Sequence, residues 1–153
     1  MEPDAPASET WRAHLVESAG DIRALLERTH RIAVLGIKTA ETLAPAYYVP
    51  EYALRAGYDI VPVPVYFPDV DEILGRPVYR SLTAIPGDID MVNVFRRADH
   101  IPAHLDDIIA KHPSSVWFQL GIRNDSAART LAEAGIDVVQ DRCLLVELRR
   151  ISR

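Results

Sequence analysis

Apolar residues along this chain fall into two alternating rhythms. Arg31-Ile32-Ala33-Val34-Leu35-Gly36 is a continuous apolar run ending in glycine, without the in-and-out alternation of a half-wet strand. A strand covered on both faces has this pattern, and such strands sit inside parallel sheets. Comparable runs occur at residues 58–63, 89–95, 115–120 and 136–140. Between them the spacing turns helical. Ile101, Leu105, Ile108 and Ile109 recur at i, i+4, i+7 and i+8, which predicts an amphipathic helix over 101–112, ending before Pro113. Asn124 is placed to cap a helix running to residue 134, with Gly135 just beyond its end. Asp141 is placed to cap a last helix over 143–149. Ahead of the first strand, Trp11, Leu15, Ile22, Leu25 and Leu26 predict one broken helix or two short ones between residues 9 and 28, with Asp21 as a second N-cap.

Prolines shape the remaining elements. The helix after the first strand should end at residue 56, because Gly57 suits the position beyond a helix end. Pro50 is tolerated in a first turn, where no intrahelical donor is lost, so the helix is expected to begin near Tyr48. That leaves a long loop over 37–47, and loops of that length are more often functional than idle. Residues 64–80 form a Pro-rich excursion with a helical turn expected at 71–75. Another helical turn, capped by Ser81, is expected at 81–86. The alternation of strand and helix predicts an α/β, Rossmann-like, doubly wound parallel sheet of about five strands with helices on both faces. One domain is expected over residues 29–153, preceded at 1–28 by a tail, frayed over 1–8, and the peripheral helix or helices.

Composition narrows the partners. The chain has 153 residues, 48% of them hydrophobic, enough for one well-buried core. Its 17 Lys and Arg against 22 Asp and Glu give a net charge of −5, with no basic excess for a nucleic acid. A single cysteine excludes an internal disulfide and a multi-thiolate metal site. The best apolar run is cut by Pro62, Pro64 and Pro68, far short of the roughly 20 residues of a membrane helix. The acidic, Pro-containing start is unlike a signal peptide. A soluble, cytoplasmic protein is expected, and the sequence leaves a homodimer open.

Ligands of open parallel sheets bind outside the carboxyl ends of the strands. Here those ends are Gly36-Ile37-Lys38, Val63-Pro64, Phe95-Arg96-Arg97, Gln119-Leu120-Gly121 and Asp141-Arg142-Cys143. They gather glycines, one amide and several cations, which suits an anionic ligand with a phosphate and an aromatic ring. A nicotinamide dinucleotide fits poorly. Lys38 and Glu41 stand where its fingerprint needs glycines, and the second strand ends in Val63-Pro64 without a ribose-binding acid. A receiver domain fits no better, since Lys38 and Arg96 stand where it needs acids. His100 and His104, near Asp99, imitate a metal pair but lack a third ligand, and are expected on a solvated helix face. Cys143, on the first turn of its helix, is expected to be an inert buried thiol. Gln119 follows Trp117 and Phe118 and has the character of a buried amide bonded to backbone. No nucleophile–base arrangement stands out, and no G-x-S-x-G elbow is present.

Five motifs together resemble a known family. Gly57-Tyr58-Asp59-Ile60-Val61-Pro62-Val63, Gly75-Arg76-Pro77-Val78-Tyr79-Arg80-Ser81-Leu82 with Ile85-Pro86, Asp90-Met91-Val92-Asn93-Val94-Phe95-Arg96-Arg97, Trp117-Phe118-Gln119-Leu120-Gly121-Ile122 and Asp141-Arg142-Cys143 resemble the small single-domain coenzyme A-binding proteins. These share a Rossmann-like fold with the nucleotide-binding domain of the succinyl-CoA synthetase α subunit. The resemblance spans about residues 28–150. It implies coenzyme A, acyl-CoA or ADP as ligand, no metal, and a noncatalytic regulatory or sequestering role. The alternatives are a nucleotide-dependent oxidoreductase or acyl-transfer enzyme, and an interaction module with a vestigial pocket plugged by Tyr66 or Phe67. Ala44-Pro45-Ala46-Tyr47 stands where relatives carry Arg-Pro-Ser-Tyr, and Pro64-Val65 where they continue Asn-Pro. The expected ligand-binding residues are Gly36, Ile37, Lys38, Thr39, Tyr47, Val63, Pro64, Phe95, Arg96, Arg97, Gln119 and Gly121. The diphosphate is expected over residues 36–39, and the adenine near Val63 and Pro64.

Overall fold

In a computed structural model, which describes residues 7–152, the five apolar runs pair side by side. They form β1 (Arg31–Leu35), β2 (Asp59–Val63) and, beyond a small hairpin of β3 (Glu72–Ile73) and β4 (Arg76–Pro77), β5 (Met91–Val94), β6 (Ser115–Phe118) and β7 (Asp137–Val139). Every pairing in the main sheet is parallel, and the order is β2-β1-β5-β6-β7. The helices are α1 (Ala19–Glu27), α2 (Pro45–Arg55), α3 (Leu105–Lys111), α4 (Asp125–Glu133) and α5 (Leu144–Ile151). This is the α/β, Rossmann-like fold expected from the alternation.

Strand periodicity splits the core into two layers. Ile32, Val34, Ile60, Met91, Trp117 and Val139 point to one face, where Ile22 and Leu26 of α1, Val49 of α2 and Leu148 of α5 cover them. Leu35, Val61, Val94, Val116 and Phe118 point to the other, under Ile108 of α3 and Leu131 of α4. Burying each such side chain stabilises by roughly 1.5–3 kcal/mol, so packing rather than intrinsic propensity holds these short helices. Among the described residues, no helix is long and apolar enough to cross a membrane.

Several boundaries differ from expectation for physical reasons. Of the tail expected over 1–8, residues 1–6 lie outside the described ones, and a 3-10 helix runs over Ala7–His14. Leu15 then bridges Val138, so the chain covers the edge of β7 before entering α1. Ser18 rather than Asp21 caps α1, its Oγ accepting the Asp21 N–H at 3.1 Å. The helical turn expected at 71–75 is the β3–β4 hairpin. Its tip residues, Leu74 and Gly75, both have positive φ (57° and 72°), as a tight two-residue hairpin turn requires. The helical turn expected at 81–86 is a looser turn, because Asp107 of α3 takes the Leu82 and Thr83 N–H groups at 2.7 and 3.1 Å. The helix expected over 101–112 begins as a 3-10 helix, Ala98–His104, and becomes regular only at Leu105. Cys143, not Asp141, occupies the N-cap of α5. Asp141 has φ 56° and accepts the Gly121 N–H at 2.6 Å, joining the loops after β6 and β7.

Asn124 caps α4 as its position indicates. Its Oδ1 accepts the Ala127 N–H at 3.0 Å, and its Nδ2 donates to the Ala98 carbonyl at 2.9 Å. Asn124→Ala is expected to lower stability by about 1 kcal/mol or slightly more in urea unfolding. Asn124→Ser, which keeps a cap but drops the Ala98 bond, should recover most of it.

Candidate functional site

The chain runs from β1 outward to β2, then crosses back to β5 on the other side of β1. That reversal opens a crevice between the carboxyl ends of β1 and β5, where α/β sheets hold ligands. A cleft of about 650 Å³ lies there, extended over the end of β6. Lys38 follows β1, Phe95 to Asp99 follow β5, Gln119 to Ile122 follow β6, and Ala44 to Ala46 bring the first turn of α2 to its wall.

The start of α2 reverses the sequence expectation. The helix begins at Pro45, and Pro50 sits inside it rather than in its first turn. A helix-interior proline leaves the carbonyl four residues back without its donor. Here that carbonyl is Ala46, and it accepts the Lys38 N–H at 3.1 Å instead. Pro50 thus frees the acceptor that ties the loop after β1 to α2. The long loop expected over 37–47 is correspondingly shorter, and contains a 3-10 turn at Ala40–Thr42.

Six of the twelve expected site residues line the cleft: Lys38, Phe95, Arg96, Arg97, Gln119 and Gly121. The other six do not. Ile37 and Val63 are each 1% exposed, and Pro64 is buried beside them, so the end of β2 offers no open apolar face. Thr39 is buried with its hydroxyl donated to Glu41, which holds that exposed carboxyl below its usual range. Tyr47 packs against the core. Gly36 is buried with φ 89°, and a Cβ there would stand 2.3 Å from the Phe95 carbonyl oxygen. The close approach that Gly36 permits is therefore that of the neighbouring strand. The Gly36 N–H is also taken, by the Val63 carbonyl at 2.9 Å, so neither it nor that of Lys38 is left to cradle a phosphate.

Charge gathers on one side of the cleft. Of its three cations, only Arg97 meets a carboxylate among the described residues, Asp99 at 3.7 Å. Arg96 is half-buried between two partners that carry no charge. Its Nε donates to His104 Nε2 at 3.2 Å, and its guanidinium lies 5.7 Å from the centre of the Tyr66 ring. Arg96 also donates to the Tyr66 hydroxyl and draws that phenol's pKa downward. Tyr66 does not line the cleft, nor does Phe67, so neither plugs it. The loop that carries them is gathered by Arg80, whose guanidinium donates to the carbonyls of Tyr66, Phe67, Pro68 and Val70.

His104 is not on the solvated helix face expected for it. It is half-buried, and burial lowers its pKa from 6.5, helped by the Arg96 and His100 charges and opposed by Asp107. The folded state therefore favours neutral His104, and its contribution is complete above pH 6.5 and lost as pH falls through the depressed value. Stability measured by urea unfolding should fall below that pH, and His104→Gln, which keeps an acceptor for Arg96, should flatten this part of the profile. Among the described residues, no group of three or more His, Cys, Asp or Glu side chains could hold a metal ion.

A second hollow of about 420 Å³ lies between the N-terminal segment and α4, with Arg12, Arg123 and Arg142 on its wall. Each of these guanidiniums already has an acid, Glu9 at 2.9 Å, Asp125 at 3.2 Å and Glu147 at 3.8 Å. At the cleft over the strand ends, by contrast, Lys38 and Arg96 meet no carboxylate among the described residues.

Residues 30–149 match the family described as CoA binding domain. The chain belongs to that family. Its relatives include a Bacillus subtilis (strain 168) protein, "Uncharacterized protein YneT", 36% identical over 129 residues, which are 84% of this chain and 93% of the relative. A solved Thermus thermophilus structure, cell-free ID.343, is 38% identical with a TM-score of 0.80, over 88% of this chain and 98% of that one. The acetyl-coenzyme A synthetase 1 of Ca. Korarchaeum cryptofilum shares the fold at 17% identity and a TM-score of 0.60, over 71% of this chain and 25% of that enzyme. Ala44 to Ala46, marked in the sequence only as a departure from Arg-Pro-Ser-Tyr, form the cleft's other wall because α2 starts at Pro45 rather than near Tyr48. Leu120 and Ile122 also line the cleft, although they stand outside the expected binding residues because no charge or glycine marks them.

Proposed function

We propose that the chain binds coenzyme A at the cleft over the ends of β1, β5 and β6, and that it does so without catalysing a reaction on it. The observation that carries this is the pair of cations, Lys38 and Arg96, that line the cleft without a carboxylate partner among the described residues. A diphosphate supplies what they lack, and each charge-assisted bond so formed is worth about 1.5–3 kcal/mol. Membership of the CoA-binding family names the ligand that brings a diphosphate together with a long, mostly uncharged arm. Phe95, Leu120 and Ile122 in the lining offer that arm apolar contact. The lining residues include no hydroxyl, thiol or imidazole placed to act as nucleophile or base, which supports a binding role.

Calorimetry of the full chain with coenzyme A, acetyl-CoA, ADP and NAD separates the readings. Coenzyme A and ADP should bind, with NAD weaker. Tight binding of NAD, with none of the other three, would overturn the proposal.

A further inference from the structure

We propose that Asn93, together with the Leu144 N–H, fixes which way the Gln119 amide faces, so that the cleft floor presents an obligate hydrogen-bond donor to a ligand carbonyl, an amide or a thioester. This rests on the coenzyme A reading above, and names the part of that ligand which the β6 end of the cleft recognises.

A side-chain amide carries an acceptor at one end and a donor at the other, and can turn either to a given neighbour. Two backbone groups remove that freedom here. The Trp117 carbonyl can only accept, and Asn93 turns its Nδ2 to it at 3.3 Å. The Leu144 N–H, at the start of α5, can only donate, and Gln119 turns its Oε1 to it at 3.2 Å. The same Asn93 Nδ2 lies 3.4 Å from the same Gln119 Oε1. Flipping either amide would set two donors against each other, or two acceptors. Gln119 lines the cleft with its oxygen engaged twice, so Nε2 is the atom left for a ligand. A donor so fixed takes a carbonyl and refuses another donor.

Asn93 sits where an apolar residue would serve the fold better. It is fully buried in the middle of β5, flanked by Val92 and Val94, and its Oδ1 has no partner. A buried polar atom left unpaired destabilises, so the strand alone gives no reason for asparagine. The orientation of Gln119 gives one. Asn93 touches no ligand in this scheme and is a positioning residue.

The test compares Asn93→Val and Gln119→Leu with the parent chain, using coenzyme A and its phosphorylated ADP moiety alone, which has the phosphates but no carbonyl arm. Each variant should bind coenzyme A about tenfold more weakly and the ADP moiety as the parent does. The double variant should lose no more than either single one, because the two amides act as a unit. Asn93→Val should not lower the melting temperature, which a purely structural asparagine would. The proposal is overturned if Asn93→Val binds coenzyme A like the parent, or if it loses the ADP moiety equally. A parent that binds neither ligand instead overturns the coenzyme A reading, and with it the carbonyl assigned here.

Discussion

Gly36→Ala is expected to destabilise the protein by about 3 kcal/mol or more, from two effects of the same residue. Its φ of 89° lies where a side chain is strained, and the position of the new Cβ is 2.3 Å from the Phe95 carbonyl oxygen. That oxygen belongs to backbone running on from β5, which is paired to β1 throughout its length, so it cannot swing away as a side chain would. The Phe95 N–H is itself bonded to the Leu35 carbonyl at 2.8 Å, which holds the two strand ends together at this level. Relief would have to come from separating the strands at the mouth of the cleft. Binding should therefore fail in Gly36→Ala because the strand ends part, and the unfolding midpoint in urea should drop with it. A Gly36→Ala chain as stable as its parent would show that the contact relaxes freely.

The second large effect falls on binding alone. Lys38→Ala should raise the dissociation constant for coenzyme A by about one to two decades, with stability nearly unchanged. Lys38 makes no ion pair among the described residues, and its backbone bond to Ala46 survives the substitution. Arg96→Ala should behave differently. It removes the partner of His104 and the cation over Tyr66 along with the proposed phosphate contact, so affinity and stability should fall together. If Lys38→Ala binds like the parent while Arg96→Ala loses both, the phosphates do not lie over the loop after β1.

Much of the architecture was legible in the sequence because its strands are covered on both faces. Continuous apolar runs such as Ile32 to Leu35 or Val116 to Phe118 need no tertiary context to be recognised. The end of α2 just before Gly57 and the Asn124 cap were legible for a different reason, since each rests on local backbone chemistry. What failed to show was every feature whose partner is distant in the chain. Pro50 has the look of a helix-opening proline because nothing nearby announces that the Lys38 N–H takes the stranded Ala46 carbonyl. Asp141 gave up its cap to bond Gly121. Asp107 reshaped the turn at 81–86 from α3, about 25 residues on.

The candidate site divides along the same line. Lys38, Arg96, Arg97 and Gln119 were visible because polar residues following buried strands must emerge at one edge. Gly36 was visible as unusual, but its reason, the Phe95 carbonyl, lies on a strand far along the chain and shows in neither pattern nor composition. Among the described residues Arg96 meets a histidine and a tyrosine ring rather than a carboxylate, which nothing near it in the sequence announces.

The most direct test of the coenzyme A site is a crystal structure of the chain with coenzyme A bound. The diphosphate is expected within hydrogen-bond reach of Lys38 and Arg96, with the pantetheine arm crossing Gln119 toward Leu120. Coenzyme A seated instead in the hollow among Arg12, Arg123 and Arg142, with the cleft at the strand ends empty, would contradict it.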